Sequence, residues 1–573
     1  MHLPSALNTV QICAQLGVRH VIVSPGSRSA PLTLAFARHP AVTTKVISDE
    51  RSAAFIGLGM AQQLRQPVGL VCTSGSAAYN YAPAVAEAFF QQVPLVIFTA
   101  DRPPEWIDQL DGQTIRQRGI YGSHVKASYE LPVGQTEVDE WHAGRIVSEA
   151  IQLSQQEPPG PVHINVPIRE PFYPAAEEEV KFNEEVKVIA SVSGQYALSG
   201  EAVRTLAEDW ARYEKKLIVG GQEATNTNLI AILDEISMAQ QVPVVADVIS
   251  NLHAVSSAVQ HADVALASSQ EALIPDLLIT FGRSVISKNL KLFLRKHRPA
   301  AHWHVQPSGM AADTFQSLTR VTYADPAMFF RSLQPILLNP SSVQSGYYQR
   351  WQKAEERAQQ CMDNLFANLP TLPMGEFQAV QTVLRRLPDA TNLHLANSMM
   401  VRYANLIGLS DQQASVEVFA NRGTSGIDGS NSTAVGSTLV SDRLTVLITG
   451  DMAFFYDRNA FWHNYQLPNL RIVLLNNHAG GIFRLIDGPN RQPELEEYFE
   501  THQALTAERT AQDFGMEYHQ IDLTAPSAHP LLEDYLANFY GQASQHAKLL
   551  EVITDTHVNQ RVFEYYRQVV ATL

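Results

Sequence analysis

The sequence predicts an α/β protein of three consecutive domains, each built on a mostly parallel sheet. Three observations carry that expectation. At 573 residues the chain is too long for a single core. Short apolar runs alternate with helical stretches in three successive series, the order that repeated β-α-β units require. The last series contains the clearest unit: residues 444–448 and 472–475 read as buried parallel strands, with 452–466 as the crossover helix between them.

The N-terminal series opens with a strand at 20–24 that runs into the loop Pro25-Gly26-Ser27-Arg28-Ser29. A second strand at 42–48 is followed by Asp49-Glu50 and a helix over 51–63. Strands at 69–73 and 95–99 flank a helix from about 77 to 92, and a strand at 162–166 closes the series. Repeated β-α-β units imply a parallel sheet covered on both faces. From Glu170 to about Gly200 the periodicity fades, and Pro171, Pro174 and the acidic run Glu177-Glu178-Glu179 read as a linker.

A second series starts at Lys216-Leu217-Ile218-Val219-Gly220-Gly221, continues through strands at 242–248 and 277–281, and fades near Pro335. Residues 340–370 are polar and helical, the pattern of a connecting arm. The third series runs from Gly375 to the end, with strands near 393–396, 416–419, 444–448, 472–475 and 549–553. The resulting division is 1–180, 195–338 and 370–573, joined by linkers at 181–194 and 339–369.

Bulk numbers exclude several classes. Composition is that of a globular protein, 45% hydrophobic and 17% charged. Lys+Arg of 42 against Asp+Glu of 57 gives a net charge of −15, which argues against nucleic acid as a partner. Cys13, Cys72 and Cys361 form no metal-type pair and read as reduced thiols. No basic segment followed by an apolar core opens the chain, and no run of about 18 apolar residues occurs. A cytoplasmic protein with neither secretory signal nor membrane span is the expectation.

Chemistry concentrates where strands end. Asp451 and Asn477 fall just past adjacent strands, at the C-terminal edge where open α/β sheets bind ligands. A carboxylate and an amide oxygen there suit a hard divalent cation, and Mg²⁺ commonly sits so, holding phosphates. Each dipeptide alone is also a common turn. Together, Gly-Asp and Asn-Asn spaced by 26 positions resemble the signature of thiamine-diphosphate enzymes. That resemblance implies pyrimidine-binding, central and diphosphate-binding domains in series. It also implies a carboxylate from another sheet that hydrogen-bonds the aminopyrimidine ring. Glu50 is the candidate, with Asp49 as the helix cap. An isolated Asp-Glu pair at a helix start would otherwise only complement the helix N-terminus, worth a few tenths to about 1 kcal/mol.

A wider set of motifs covers all three regions in order. It comprises 24–32 (Ser-Pro-Gly-Ser-Arg-Ser-Ala-Pro-Leu), 49–51 (Asp-Glu-Arg), 73–77 (Thr-Ser-Gly-Ser-Ala) and 99–103 (Thr-Ala-Asp-Arg-Pro). It continues with 112–117 (Gly-Gln-Thr-Ile-Arg-Gln), 396–402 (Ala-Asn-Ser-Met-Met-Val-Arg) and 421–429 (Asn-Arg-Gly-Thr-Ser-Gly-Ile-Asp-Gly). With Gly450-Asp451 and Asn476-Asn477, these motifs closely resemble the 2-succinyl-5-enolpyruvyl-6-hydroxy-3-cyclohexene-1-carboxylate (SEPHCHC) synthases of menaquinone biosynthesis. The family reaction joins 2-oxoglutarate to isochorismate with loss of CO₂.

Both substrates are dianions and the cofactor carries a diphosphate, so the site requires arginines, whose planar guanidinium groups match carboxylates bidentately. The resemblance points to Arg28, Arg102, Arg402 and Arg422, with Arg116 in the same motifs; any single arginine is otherwise a solvated surface charge. Ser27 and Gln113 match positions that hydrogen-bond substrate, as does Ser398, which is grouped with the cofactor. Any of the three could instead be a local cap. Lys288 matches a basic pair of the central domain, but Asn289 stands where the family pattern has Arg, and Arg283 or Lys291 would have to compensate. Ile427, beside Gly426, matches the apolar prop that bends the cofactor, and Ile482 and Phe483 match an apolar wall near the reacting centre. Core packing would explain all three equally well. The Ala479 carbonyl matches a third metal ligand beside Asp451 and Asn477, with Mn²⁺ an alternative to Mg²⁺. His478 reads as a nearby or exposed histidine rather than a base.

Other thiamine-diphosphate decarboxylases or carboligases, acetolactate-synthase-like, share the Gly-Asp and Asn-Asn site and the glutamate. The Ser27-Arg28 pair, Asp-Arg-Pro at 101–103 and Asn-Arg-Gly at 421–423 favour the isochorismate enzyme. Loss of Glu50 or Asp451 would have marked an idle paralogue, and both are present. The resemblance finally implies a homo-oligomer, dimer or dimer of dimers, with each cofactor between the N-terminal domain of one chain and the C-terminal domain of another.

Overall fold

In a computed structural model of the chain, residues 3–573 are described except 171, 174–180, 193, 195–196, 268–269, 339–345, 370–373, 526–528 and 542. Pro171, Pro174 and the acidic run at 177–179 lie outside the described residues. Three six-stranded sheets follow one another, and every described pairing is parallel. The first sheet contains β1 (His20–Val23), β2 (Thr43–Val46), β3 (Val68–Cys72), β4 (Leu95–Asp101), β5 (Ser128–Glu130) and β6 (Val162–Pro167), in spatial order 2-1-3-4-6-5. The second contains β7 (Lys216–Gly220), β8 (Val244–Ala246), β9 (Ala258–Val259), β10 (Leu277–Phe281), β11 (Ala301–Gln306) and β12 (Arg320–Tyr323), in order 12-11-10-7-8-9. The third contains β13 (Asn392–Leu395), β14 (Glu417–Phe419), β15 (Thr445–Gly450), β16 (Leu470–Asn476), β17 (Glu517–Asp522) and β18 (Lys548–Ile553), in order 14-13-15-16-18-17. The first and third sheets therefore share one topology, a duplication that no sequence period reveals.

Buried strands were legible because a parallel sheet covered on both faces makes its central strands continuously apolar. The peripheral strands were not. In β17, Glu-Tyr-His-Gln-Ile-Asp, most side chains are exposed or half-buried, so neither an apolar run nor clean alternation marks it. Two helix expectations need correction. The helix expected over 77–92 is two, Ser76–Asn80 and Ala82–Gln91. Pro83 opens the second, where its missing N–H costs nothing, and the Tyr81 hydroxyl at the break donates to the Val71 carbonyl (2.9 Å). The crossover expected over 452–466 is a short helix, Asp451–Tyr456, followed by a 3₁₀ turn at Arg458–Phe461. It stops at Asp457, whose buried carboxyl accepts from the Ser432 amide (2.7 Å) and hydroxyl (2.8 Å).

The polar arm is the helix Tyr347–Asn368. Tyr347 and Trp351 join the core of the middle domain, and Ala358, Met362 and Leu365 join that of the third, so the arm is a strut between them.

The first and third domains share a continuous core. Its centre is the crossing of the helices Glu50–Leu64 and Ser430–Thr438. Ten consecutive residues of the first, Ser52–Ala61, and all nine of the second are buried, which explains the absence of a polar face on either. Glycines make the approach possible. A Cβ on Gly59 would lie 2.0 Å from the Thr433 carbonyl oxygen, and one on Gly436 would lie 2.1 Å from the Ile56 carbonyl oxygen. Among the described residues no helix is long and apolar enough to cross a membrane.

Candidate functional site

The strand edges carry the expected residues in two groups. At the end of the third sheet, β15 and β16 pair with Gly450 opposite Leu475, so Asp451 and Asn477 leave the sheet side by side. Asp451 opens its helix and is 3% exposed; its Oδ2 accepts from the Gln503 amide (2.9 Å). Asn477 is caged: its Nδ2 donates to Glu376 Oε1 (2.6 Å) and its Oδ1 accepts from the Ala479 amide (2.9 Å). The Ala479 carbonyl accepts from the Gly481 amide (2.9 Å), which leaves one lone pair. The turn passes through His478 at φ 61°, half-buried with no partner for its buried Nδ1. Glu500 and Gln503 strap the loop down, through Gly480 N to Glu500 O (2.7 Å) and Gln503 N to His478 O (2.9 Å). The strap is anchored by the buried pairing of Arg484 with Glu500.

Burial dominates the electrostatics here. It raises Asp451 to about 6, against the lowering effect of the Gln503 and Ala479 donors. It raises Glu376 to about 8, with the Asp451 charge as the second cause. Among the described residues no three His, Cys, Asp or Glu side chains form a metal cluster, so a cation at this edge relies on amide and carbonyl oxygens as well.

Ser398 precedes the helix Met399–Ile407 at φ 73°, ψ −127°, a conformation that costs a non-glycine residue about 1–3 kcal/mol. Arg402 lies one turn on and donates to the Ser398 carbonyl. Arg422 Nη1 donates to Asn397 Oδ1 (2.8 Å), and Asn397 Nδ2 to the Gly426 carbonyl (2.7 Å). Burial and then the like charge of Arg402 depress the Arg422 guanidinium. The loop bearing Arg422 is fixed from the first domain: buried Glu87 accepts from the amides of Gly423 (2.8 Å) and Thr424 (2.6 Å). Ile427 is 36% exposed, so within this chain it projects from the loop rather than joining the core. Ile482 and Phe483 are half-buried, Ile482 against the third core and Phe483 against Phe499 (ring centroids 5.7 Å).

From the middle domain, Lys288 is exposed at the start of the helix Lys288–Lys296. Asn289 is structural, its amides engaging Asp263 (both 2.7 Å). Lys291 is the inward cation: it donates to Val285 O (2.9 Å), burial depresses it, and both the Asp247 and Arg422 charges reach it. Arg283 lies 3.8 Å from Glu223.

The second group sits on the first sheet. Asp49 caps the helix that Glu50 begins, accepting from Ser52 N (3.1 Å) and from Asn459 Nδ2 (2.7 Å). Glu50 is half-buried, and its charge adds to burial in raising the Cys72 thiol. Ser27 is exposed on the loop after β1. Arg28 is buried; its Nη1 donates to Ile168 O (2.9 Å) and its guanidinium stacks 4.5 Å from the Phe172 ring centroid. Arg102 pairs with Asp111 (3.2 Å) and the Gly112 carbonyl (2.7 Å). Gln113 is exposed at φ 55° against Gly75, and Arg116 forms an exposed ion pair with Asp108 (3.0 Å). Among the described residues no hydrogen bond or ion pair joins Glu50, Arg28 or Arg102 to the Asp451 group.

Sequence reasoning missed Glu376, Glu87 and Gln503. Glu376 did leave a trace, since it shares a helix face with apolar Val380 and Val383, where a charge is out of place.

Residues 8–120 match the description of the thiamine pyrophosphate enzyme N-terminal TPP binding domain, and residues 196–395 that of the middle domain of thiamine pyrophosphate enzymes. Over 98% of both chains, the protein is 45% identical to a 2-succinyl-5-enolpyruvyl-6-hydroxy-3-cyclohexene-1-carboxylate synthase of Cytophaga hutchinsonii. At the same coverage it is 38% and 36% identical to proteins of that name from Flavobacterium psychrophilum and Bacteroides thetaiotaomicron. Identity of this extent along the whole chain, on three parallel α/β domains, means that the chain belongs to the SEPHCHC synthase family of thiamine pyrophosphate enzymes.

Proposed function

We propose that the protein decarboxylates 2-oxoglutarate and adds the remaining four-carbon unit in a 1,4 sense to isochorismate, giving SEPHCHC and CO₂ in menaquinone biosynthesis. The observation that carries this reading is a pair of partly buried arginines, Arg402 and Arg422, on the segments that follow β13 and β14, next in the sheet to the β15 and β16 ends that bear Asp451 and Asn477, in a chain of this family. An acetolactate-like enzyme has no dianionic second substrate to justify such a pair.

The residues present fit thiamine diphosphate and a divalent cation. Asp451, Asn477 Oδ1 and the remaining lone pair of the Ala479 carbonyl form an all-oxygen donor set, suited to Mg²⁺ or Mn²⁺. Ile427 offers an exposed apolar prop, with Ser398 and Gly426 beside it and Ile482 and Phe483 as a half-buried wall. When bound, thiamine diphosphate supplies the electron sink for decarboxylation and carbon–carbon bond formation. Glu50 would hold the proton exchanged with the aminopyrimidine of the bound cofactor. Arg28, Arg102, Arg402 and Arg422, with Ser27, Gln113 and Lys288, hold the substrate carboxylates and orient the two reacting carbons. Membership of this family supports a homo-oligomer in which each site is completed by a second copy. The three buried free thiols accord with the cytoplasm.

The test mixes protein, thiamine diphosphate, Mg²⁺, 2-oxoglutarate and isochorismate and follows CO₂ release and isochorismate loss. Both are expected, and Glu50→Gln is expected to lower the rate by about 10²–10⁴-fold. Equal turnover with pyruvate in place of 2-oxoglutarate would sink the substrate assignment.

A further inference from the structure

Asn477 can ligate a cation only through Oδ1, yet its amide has two ends of nearly equal shape. A flipped amide would present Nδ2 to the cation and repel it. The structure fixes the orientation from both sides. Oδ1 faces the Ala479 N–H, and Nδ2 faces Glu376 Oε1 at 2.6 Å. Glu376 is itself held rigidly: it is 3% exposed, and its backbone N–H donates to Asn559 Oδ1 (2.8 Å). Gly481 completes the cage, since a Cβ there would lie 2.7 Å from Asn477 Nδ2. A carboxylate this deeply buried is expensive unless it serves something.

The geometry points to Glu376 as a positioning residue that orients the Asn477 amide so that its oxygen faces the cation. The inference rests on Asp451 and Asn477 holding the metal. Partners of this kind, which orient a metal ligand, typically contribute about 10–100-fold in metal affinity. Its requirement is an acceptor of the right reach, not a charge.

Mg²⁺ binding to the full-length protein in the presence of thiamine diphosphate is measured by calorimetry, alongside the melting temperature of the metal-free protein. Glu376→Met, which fills the volume without an acceptor, is expected to weaken Mg²⁺ binding at least about tenfold. Should Met at this site prevent folding, Glu376→Asp keeps charge and acceptor but withdraws them by one methylene, and a loss of about tenfold is again expected. Glu376→Gln retains an acceptor at the same reach and should bind within about threefold of wild type, a rescue that loss of packing would not predict. Wild-type affinity in whichever of the Met and Asp variants folds overturns the role. So does a Gln variant as weak as the Met variant, which would make charge the cause. Failure of the wild-type protein to bind Mg²⁺ would instead overturn the metal site itself.

Discussion

Gly59→Ala provides a direct test of how Glu50 is positioned. The added Cβ would lie 2.0 Å from the Thr433 carbonyl oxygen and 2.8 Å from the carbon behind it, both backbone atoms of a fully buried helix. Contacts below 3.0 Å do not persist, so one backbone must retreat from the other by about 1 Å. Gly436 crosses just as closely over the Ile56 carbonyl, where a Cβ would lie 2.1 Å away, so the two helices have little room to slide past each other. Overpacking of this kind costs typically about 1–3 kcal/mol, and rigid backbone places it at the upper end. The helix that moves begins with Glu50 and is tied at that end to Asn459 and Tyr456. With Glu50 in its proposed role, a misplacement of about 1 Å lowers the rate by about 10²-fold. Gly144 supplies the control: it too lies inside a helix, but a Cβ there would meet Ile12 Cδ1 at 3.6 Å and the Lys187 carbonyl oxygen at 3.9 Å, both ordinary van der Waals contacts. Gly144→Ala should therefore be neutral or stabilising by up to about 1 kcal/mol. Thermal denaturation and steady-state turnover of the two variants decide the matter. If Gly59→Ala melts with wild-type stability and turns over normally, the close crossing does not position Glu50.

Asp457 predicts a pH dependence. Burial raises its carboxyl to about 7, so the native state keeps a proton that the unfolded chain releases near pH 4. The unfolded state therefore binds fewer protons between about pH 4 and 7, and stability falls as pH rises through that window. Asp457→Asn can still accept from the Ser432 amide and donate to its hydroxyl, so melting temperatures of the metal-free variant between pH 4.5 and 8 should fall less steeply than wild type; parallel curves would refute this. Arg422→Ala removes a charged donor from the proposed dianion site, at about 1.5–3 kcal/mol. Its KM for one of the two substrates should rise about ten- to hundredfold with the melting temperature little changed, and an unaltered KM for both would remove Arg422 from the substrate site.

The fold class and the central strands were legible because their cause is local and periodic: Leu-Leu-Ile-Thr-Phe at 277–281 is a buried strand by composition alone. The edge at Asp451 and Asn477 was legible for a related reason, since two adjacent strand ends fix where the next residues stand. The helix break at Asp457 was not, because a carboxyl reaching Ser432 across the fold stops that helix. The exposure of Ile427 and the structural use of Asn289 were equally hidden, since each depends on neighbours far away in the chain.

By itself, the sequence determined three α/β domains and the family, and it singled out Glu50 and the oxygen-bearing residues after β15 and β16 as the candidates proposed here. These are properties of residue type, order and spacing. Only the tertiary structure decided that Glu376 grips Asn477, that Glu87 holds the Arg422 loop, and that glycines press the Glu50 helix onto the third domain. Each of those joins residues on different elements, and burial and hydrogen-bond geometry exist only once the chain has closed on itself.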